Sequence, residues 1–271
     1  FFIYNEFIMT SWTKRLDSVQ TINCIEKQIN QYMLKLSKYT NRNVIVYFSA
    51  WQQKTMIKGN WGIDSYDMNG FMSIVNQLDK NKGLDLIIHT PGGDLSATKS
   101  IVDYLLSYFN NDVRVIVPHT AMSAGTMIAC AGKEIIMGLH SSLGPIDPQI
   151  HGMPAYEFIK LLNQAIKAFN LNQNIRYWER IWSKYSPTFF GICQNAIELS
   201  KKYISSWLKN NMLKNKDLTS VEKTTNFLLD YDYHLMHTAP LDINVLLKNT
   251  ALKITKLEDN NNSPLQLFVR V

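Results

Sequence analysis

The chain has 271 residues, 46% apolar, 18% charged and 11% aromatic, with 12 Gly and 8 Pro, a globular composition that excludes collagen-like and disordered chains. A chain of this length buries roughly 75% of the surface its unfolded form exposes, so its core calls for neither disulfide nor metal. The 28 basic residues exceed the 22 acidic ones to give a net charge of +6, but the lysines are scattered instead of forming a block, which argues against a nucleic-acid partner.

Cys24, Cys130 and Cys193 are odd in number and widely spaced, with no CxxC or Cys/His cluster. This excludes a disulfide scaffold and structural zinc and points to a reducing, cytoplasmic setting. No stretch approaches the roughly 20 apolar residues of a membrane span. The opening Phe1-Phe2-Ile3-Tyr4 run is broken by Asn5 and Glu6. It reads as the remnant of a longer N-terminus, through which the protein could associate with a membrane.

In chain order, Ile22, Ile25, Ile29, Met33 and Leu36 recur at helical spacing and predict an amphipathic helix within Trp12 to Leu36. Asn43 to Trp51 is β-branched and aromatic and predicts a strand; Gln52 to Tyr66 predicts a loop, and Asp67 to Leu78 a helix capped by Asp67. Three apolar runs then alternate with helical segments: Leu84 to His89, Val113 to Pro118 and Glu134 to Met137. Continuous apolar runs suit strands buried on both faces of a parallel sheet, so the fold class is α/β. From Pro154 onward helices dominate, over Ala155 to Phe169, Ile175 to Ser183, Phe189 to Met212 and Thr219 to Leu229; the tail from Ala251 predicts a short strand and a polar loop.

The chemistry-bearing residues sit at two strand-to-helix junctions, where open α/β sheets place their ligands. At the second, Ser123 follows a strand and is flanked by Ala124 and Gly125. Small neighbours permit the tight turn of a nucleophile elbow, although GxSxG itself is absent; a helix N-cap is the alternative. At the first, Gly92 and Gly93 follow Pro91, and their N–H groups could face a developing oxyanion, hold a phosphate or simply make a turn. No P-loop lysine and no third glycine of a dinucleotide fingerprint follow.

The segments LDLIIHTPGGDLSATKSIVDYLL, VRVIVPHTAMSAGTMIACAGKEIIMG and SSLGPIDPQI, in this order and spacing, resemble the serine dehydrogenase proteinase family of the ClpP/crotonase-like superfamily, relatives of signal peptide peptidase A. NAIELSKKYISSWLKNNM and the region around His237 are similar to it as well. The resemblance implies a spiral of βαβ units with additional C-terminal helices, spanning residues 41–258 after an N-terminal helical segment (1–40) and before a tail (259–271). It implies Ser123 as the acylated nucleophile and the Gly93 and Ala124 N–H groups as the oxyanion hole. It also implies a peptide or protein substrate, a homo-oligomer and no cofactor or metal. Nothing in the chain matches a dehydrogenase or a pyridoxal site.

The base is the open element. ClpP-type enzymes carry a His about 25 residues after the nucleophile, and here that neighbourhood reads Ile146-Asp147-Pro148. Relatives of signal peptide peptidase A use a Lys, which serves as a base only where burial lowers its pKa. Lys184, 61 residues after Ser123 and beside Trp182 and Tyr185, is the expected base in a Ser–Lys dyad, with Lys160 and Lys167 as rivals. Lys133 suits a helix C-terminus. His119 could orient the nucleophile loop, His89 is expected to be a hydrogen-bonded structural residue, and Asp147 could brace the site or cap a turn. Trp178, Trp182 and Trp207 suit helix packing or a subunit interface.

The leading expectation is a serine peptidase. A catalytically silent scaffold or peptide-binding protein is the alternative, and a crotonase-like acyl-CoA enzyme, which uses paired N–H donors without a serine nucleophile, is the second.

Overall fold

The apolar runs line up side by side. A computed structural model describes residues 2–4, 7–9, 22–49, 51 and 61–258. Two short strands, β1 (Phe2–Tyr4) and β2 (Phe7–Met9), pair antiparallel. Helix α1 (Ile22–Thr40) precedes β3 (Asn43–Phe48). With β4 (Leu84–His89), β5 (Val113–Val117), β7 (Glu134–Met137) and β11 (Ile254–Lys256), β3 forms a five-stranded sheet in the order β11-β7-β5-β4-β3, every pair parallel.

Alternation along these strands sends successive side chains to opposite faces. Val44, Ile87, Ile116 and Ile136 pack with Leu36 of α1 on one face. Their neighbours Ile45, Leu86, Ile88, Val115, Val117, Ile135 and Met137 join the main core on the other. Covering both faces is what an unbroken apolar run requires, and all six residues of β4 are buried.

The main core is closed by α2 (Ser65–Val75), α3 (Leu95–Tyr108) and α4 (Ala124–Ala131), together with part of α7 (Pro187–Asn210), α8 (Leu218–Leu229) and α9 (Ile243–Asn249). Helix α2 begins two residues earlier than the sequence predicts. Asp64 takes the cap and Asp67 closes a capping box onto its backbone, so the predicted cap residue serves the same helix end from inside. Helix α1 runs to Thr40, four residues past the expected end at Leu36, while the helices expected after α2 lie within two residues of their expected bounds, with Asp94 capping α3 through the Ala97 N–H at 2.7 Å and Ser186 and Pro187 opening α7. The predicted stretches 12–21, 52–60 and 259–271 lie outside the described residues.

A second, shorter layer of pairing grows from the ends of the strands and carries the site. β6 (Thr120–Ala121) pairs parallel with β8 (Ser142–Leu143), Thr90 bridges Ala121, Ile63 bridges Gly93, and Leu143 bridges Leu241 antiparallel. Beyond it, β9 (Gln149–Ile150) and β10 (Met153–Pro154) form a hairpin leading into α5 (Ala155–Asn170) and α6 (Ile175–Trp182). The first half of α7 packs on α5 around Ala155, Phe158 and Cys193. Its second half docks on the body, where Trp207 Nε1 donates to Asp103 at 3.1 Å. Trp207 is thus core, while Trp178 and Trp182 stack on each other and Trp182 meets Phe190 edge-on.

At the opposite ends of the strands, the fully buried Asp85 accepts from Arg42 Nε at 2.6 Å and from Arg114 at 2.8 and 2.7 Å. Arg42 also reaches Asp112, which in turn pairs with Lys133. Among the described residues no helix is long and apolar enough to cross a membrane.

Candidate active site

The turn after β4 is built for close approach. Ile63 N–H donates to Gly92 O at 2.7 Å and Asp94 N–H donates to Ile63 O at 2.8 Å. In a parallel bridge with this pattern, the N–H and C=O of the bridging residue itself, Gly93, point to the other side, away from Ile63. Gly92 and Gly93 have φ of +111° and +156°. A Cβ on Gly93 would lie 2.2 Å from the Ile63 nitrogen, and one on Gly92 would lie 2.7 Å from Ser123 Cβ. Both positions therefore demand glycine, and the second shows how closely the turn is pressed against Ser123.

Ser123 resolves the choice between cap and elbow. It occupies the N-cap position of α4, yet its side chain makes no capping hydrogen bond, and its φ of +51° with ψ of −112° is not the extended conformation of a cap. A non-glycine residue held there carries roughly 1–3 kcal/mol of strain, which persists only where the surroundings impose it. Here they do. Gly125 N–H donates back to Met122 O at 2.7 Å, and the Thr126 hydroxyl lies 2.9 Å from Ala121 O and 2.8 Å from Gly144 O while accepting from Gly144 N–H. Gly125 and Gly144 leave room for Thr90 and Met122, which a Cβ would meet at 2.5 and 2.4 Å. With the hydroxyl free of the cap, Ala124 offers one of the orphan N–H groups of the first turn of α4.

Ser123, Ala124 and Gly93 line one cavity of about 420 Å³, whose walls include Met127, Ile146 and His237. His237 comes from the segment before Leu241, anchored by the two backbone bonds between Leu241 and Leu143 at 2.8 and 3.1 Å. Its Nδ1 lies 2.8 Å from Asp147 Oδ1, and Gln149 Nε2 donates to Asp147 Oδ2 at 2.6 Å. Asp147 is buried and His237 half-buried. A carboxylate accepting at Nδ1 sets the tautomer with the proton on Nδ1 and leaves Nε2 as the basic atom. A serine hydroxyl, an imidazole bound to a buried carboxylate and the backbone of Gly93 and Ala124 thus line one cavity, the kinds of group that acyl transfer uses.

The expected lysines are elsewhere. Lys184 is exposed in the turn after α6 and is not among the residues lining the cavity, so the burial that a lysine base needs is missing. Its aromatic neighbours face one another instead, Trp182 against Phe190 at 4.7 Å. Lys160 is exposed and pairs with Asp232 at 2.6 Å, a hydrogen bond that pushes its ammonium up, the wrong direction for a base. Lys167 is exposed on α5. Lys133 pairs with Asp112. Asp147 braces a histidine, one of its two expected roles. His119 stacks on His89 before the elbow. His89 is buried, and among the described residues neither ring nitrogen makes a hydrogen bond of good geometry.

ClpP-type spacing places a histidine about 25 residues after the serine, and His237 lies far beyond it, so the sequence gives it no role by that spacing. The order Ser, Asp, His is the one α/β-hydrolases use, and pairing each of the six histidines with Asp147 would have put it on a short list.

Among relatives, an uncharacterized protein of Methanocaldococcus jannaschii, MJ0137, is 37% identical over 199 residues, 65% of this chain and 66% of that one. A second from the same organism, MJ1495, is 26% identical over 98% of this chain and 80% of its own length. The ATP-dependent Clp protease proteolytic subunit of Streptococcus suis is 42% identical over 68 residues, 23% of this chain and 34% of that one. A solved mutant of the 1510-N membrane-bound stomatin-specific protease is similar over 74% of this chain and 77% of its own, at 18% identity and a TM-score of 0.43. The model of the ClpP-like SDH-type serine proteinases matches residues 20–259, and the chain belongs to that family.

Proposed function

We propose that the protein hydrolyses peptide bonds through an acyl-enzyme on Ser123, with His237 as general base and Asp147 as its orienting partner. The observation that carries this reading is a strained, uncapped serine in the same cavity as a carboxylate-bound histidine. Ser123 Oγ attacks the scissile carbonyl as its proton passes to His237 Nε2. The Asp147 carboxylate stabilises the imidazolium across the Nδ1 hydrogen bond, and the oxyanion is held by the Gly93 and Ala124 N–H groups. Each such donor can lower the barrier by roughly 3–4 kcal/mol. Collapse returns the proton from His237 to the leaving amine, and water repeats the sequence on the ester to release the acid and free serine.

Leu95, Met127, Ile146 and Ile150 give the cavity apolar walls that suit an apolar side chain of a peptide substrate. Assembly into a homo-oligomer fits the exposed Ile166, Phe169 and Leu171 on and just after α5, and the mass in solution by light scattering tests it. A crotonase-like acyl-CoA reaction would use the two N–H donors but has no need for a strained serine. A fluorophosphonate probe with intact-mass and peptide mapping tests the reading. Stoichiometric labelling at Ser123 that disappears in Ser123→Ala supports it, and a wild-type protein that is never labelled in any assembly state overturns it.

A further inference from the structure

His89 ends β4, and His119 stands two residues beyond β5. From the first, the chain runs through Thr90 and Pro91 to the Gly93 turn; from the second, it runs through β6 to Ser123 and Ala124. The two loops that each bring one N–H group to the cavity therefore start at these two histidines. Their rings stack with centroids 5.5 Å apart and planes within 23°. The His89 ring also stacks on Phe48 at 4.7 Å and on Trp51 at 4.6 Å.

A buried imidazole ordinarily secures at least one hydrogen bond. His89 is 5% exposed, and among the described residues no hydrogen bond of good geometry reaches either ring nitrogen, the Thr120 backbone approaching only at the margin, so its ring is held mainly by its faces. Beside the stack, the backbone ties the same two loops. Thr90 N–H donates to Thr120 O at 3.2 Å, Met122 N–H donates to Thr90 O at 3.0 Å, and Thr90 Oγ1 accepts from Gly92 N–H at 3.2 Å. Two donors carried on different loops can reach one oxyanion only if the loops keep their register to a fraction of an ångström.

We propose that the His89–His119 stack is a pair of positioning residues, a side-chain clamp that holds the Gly93 and Ala124 N–H groups in mutual register. It rests on the reading of Ser123 as nucleophile. Phe48 and Trp51 from the β3 side carry no titrating group, and His119 from the β5 side is the titratable ring packed on His89. Burial first, and the neighbouring His119 second, push the His89 imidazole below its ordinary value, against a smaller upward pull from the Thr120 backbone. A proton forced onto it meets no carboxylate in the stack and drives the rings apart.

The test measures fluorophosphonate labelling of the full chain over a range of probe concentrations and pH, for wild type, His89→Ala and His89→Phe. At pH 8, His89→Ala should lower the maximal labelling rate at least about 10-fold with the half-saturating probe concentration within about 2-fold, because ring loss disturbs the transition-state donors and not probe binding. His89→Phe keeps a ring without a proton; it should label within about 3-fold of wild type at pH 8 and lose rate less steeply below about pH 6. Wild-type rates in His89→Ala, or identical pH profiles for wild type and His89→Phe, overturn the clamp while leaving Ser123 as nucleophile. An unlabelled wild type instead overturns the nucleophile itself. Should His89→Ala fail to fold, the His89→Phe profile decides alone.

Discussion

The two ends of the same parallel sheet are built to opposite rules. At the N-terminal ends of the strands, every buried charge is paired: Asp85 is fully buried yet accepts from two guanidiniums, and Arg42, Asp112 and Lys133 extend the network across neighbouring strands. At the C-terminal ends, groups are left under-satisfied or strained: Ser123 at positive φ, His89 without a well-formed hydrogen bond among the described residues, and Gly93 with its N–H turned from its bridge partner. One end locks the strand register. The other keeps donors, a hydroxyl and a basic nitrogen available, and the rigidity of the first makes the strain of the second affordable.

Removing one partner from the paired end should have the largest effect on stability. Asp85→Ala leaves two guanidiniums facing a buried gap and should cost about 3–5 kcal/mol by urea denaturation. At the other end, Gly93→Ala drives a methyl toward the Ile63 backbone and displaces the N–H proposed as an oxyanion donor; labelling of Ser123 should slow by about 10²–10³-fold, the scale of a lost donor.

Ser123→Gly should invert the sign seen at Asp85. Glycine tolerates the elbow without strain but adds unfolded-state entropy, so a net stabilisation of about 1 kcal/mol is expected by the same denaturation measurement, with activity abolished. A loss of stability there would erase the contrast between the two ends.

What was legible in the sequence is what depends on local pattern. The apolar runs of β4, β5 and β7, the glycine pair and the small residues around Ser123 are all set by their immediate neighbours, and the strands and the tight strand-to-helix turn at Ser123 formed where those patterns stood. The histidine was not legible in this way, because His237 and Asp147 lie 90 residues apart and meet only through the Leu143–Leu241 pairing. Lys184 misled for a related reason: aromatic neighbours in sequence suggested a dry site, but the side chains of that turn pack on each other and leave the lysine exposed. Likewise, Asp64 and Asp67 both belong to the start of α2, and only the observed helix start assigns the cap to the first.

The smallest effect expected is on pH dependence. Because the folded state holds the His89 proton less tightly than the unfolded chain, the unfolded chain binds more protons as pH falls below the ordinary histidine value near 6.5. Stability should therefore be full above that value, fall as the pH drops below it, and level off below the folded-state value. His89→Phe should flatten this decline in urea midpoints measured between about pH 7 and 5; an unchanged decline would assign it to other groups.

The comparison that bears most directly on the site is the labelling rate of Ser123 in His237→Ala set against Lys184→Ala, both at pH 8 with folding checked by circular dichroism. A base oriented by Asp147 predicts a fall of about 10²–10⁴-fold in His237→Ala and a rate within about 2-fold of wild type in Lys184→Ala. The reverse pattern, with His237→Ala still reactive and Lys184→Ala silent, would contradict a serine–histidine–aspartate centre in this protein.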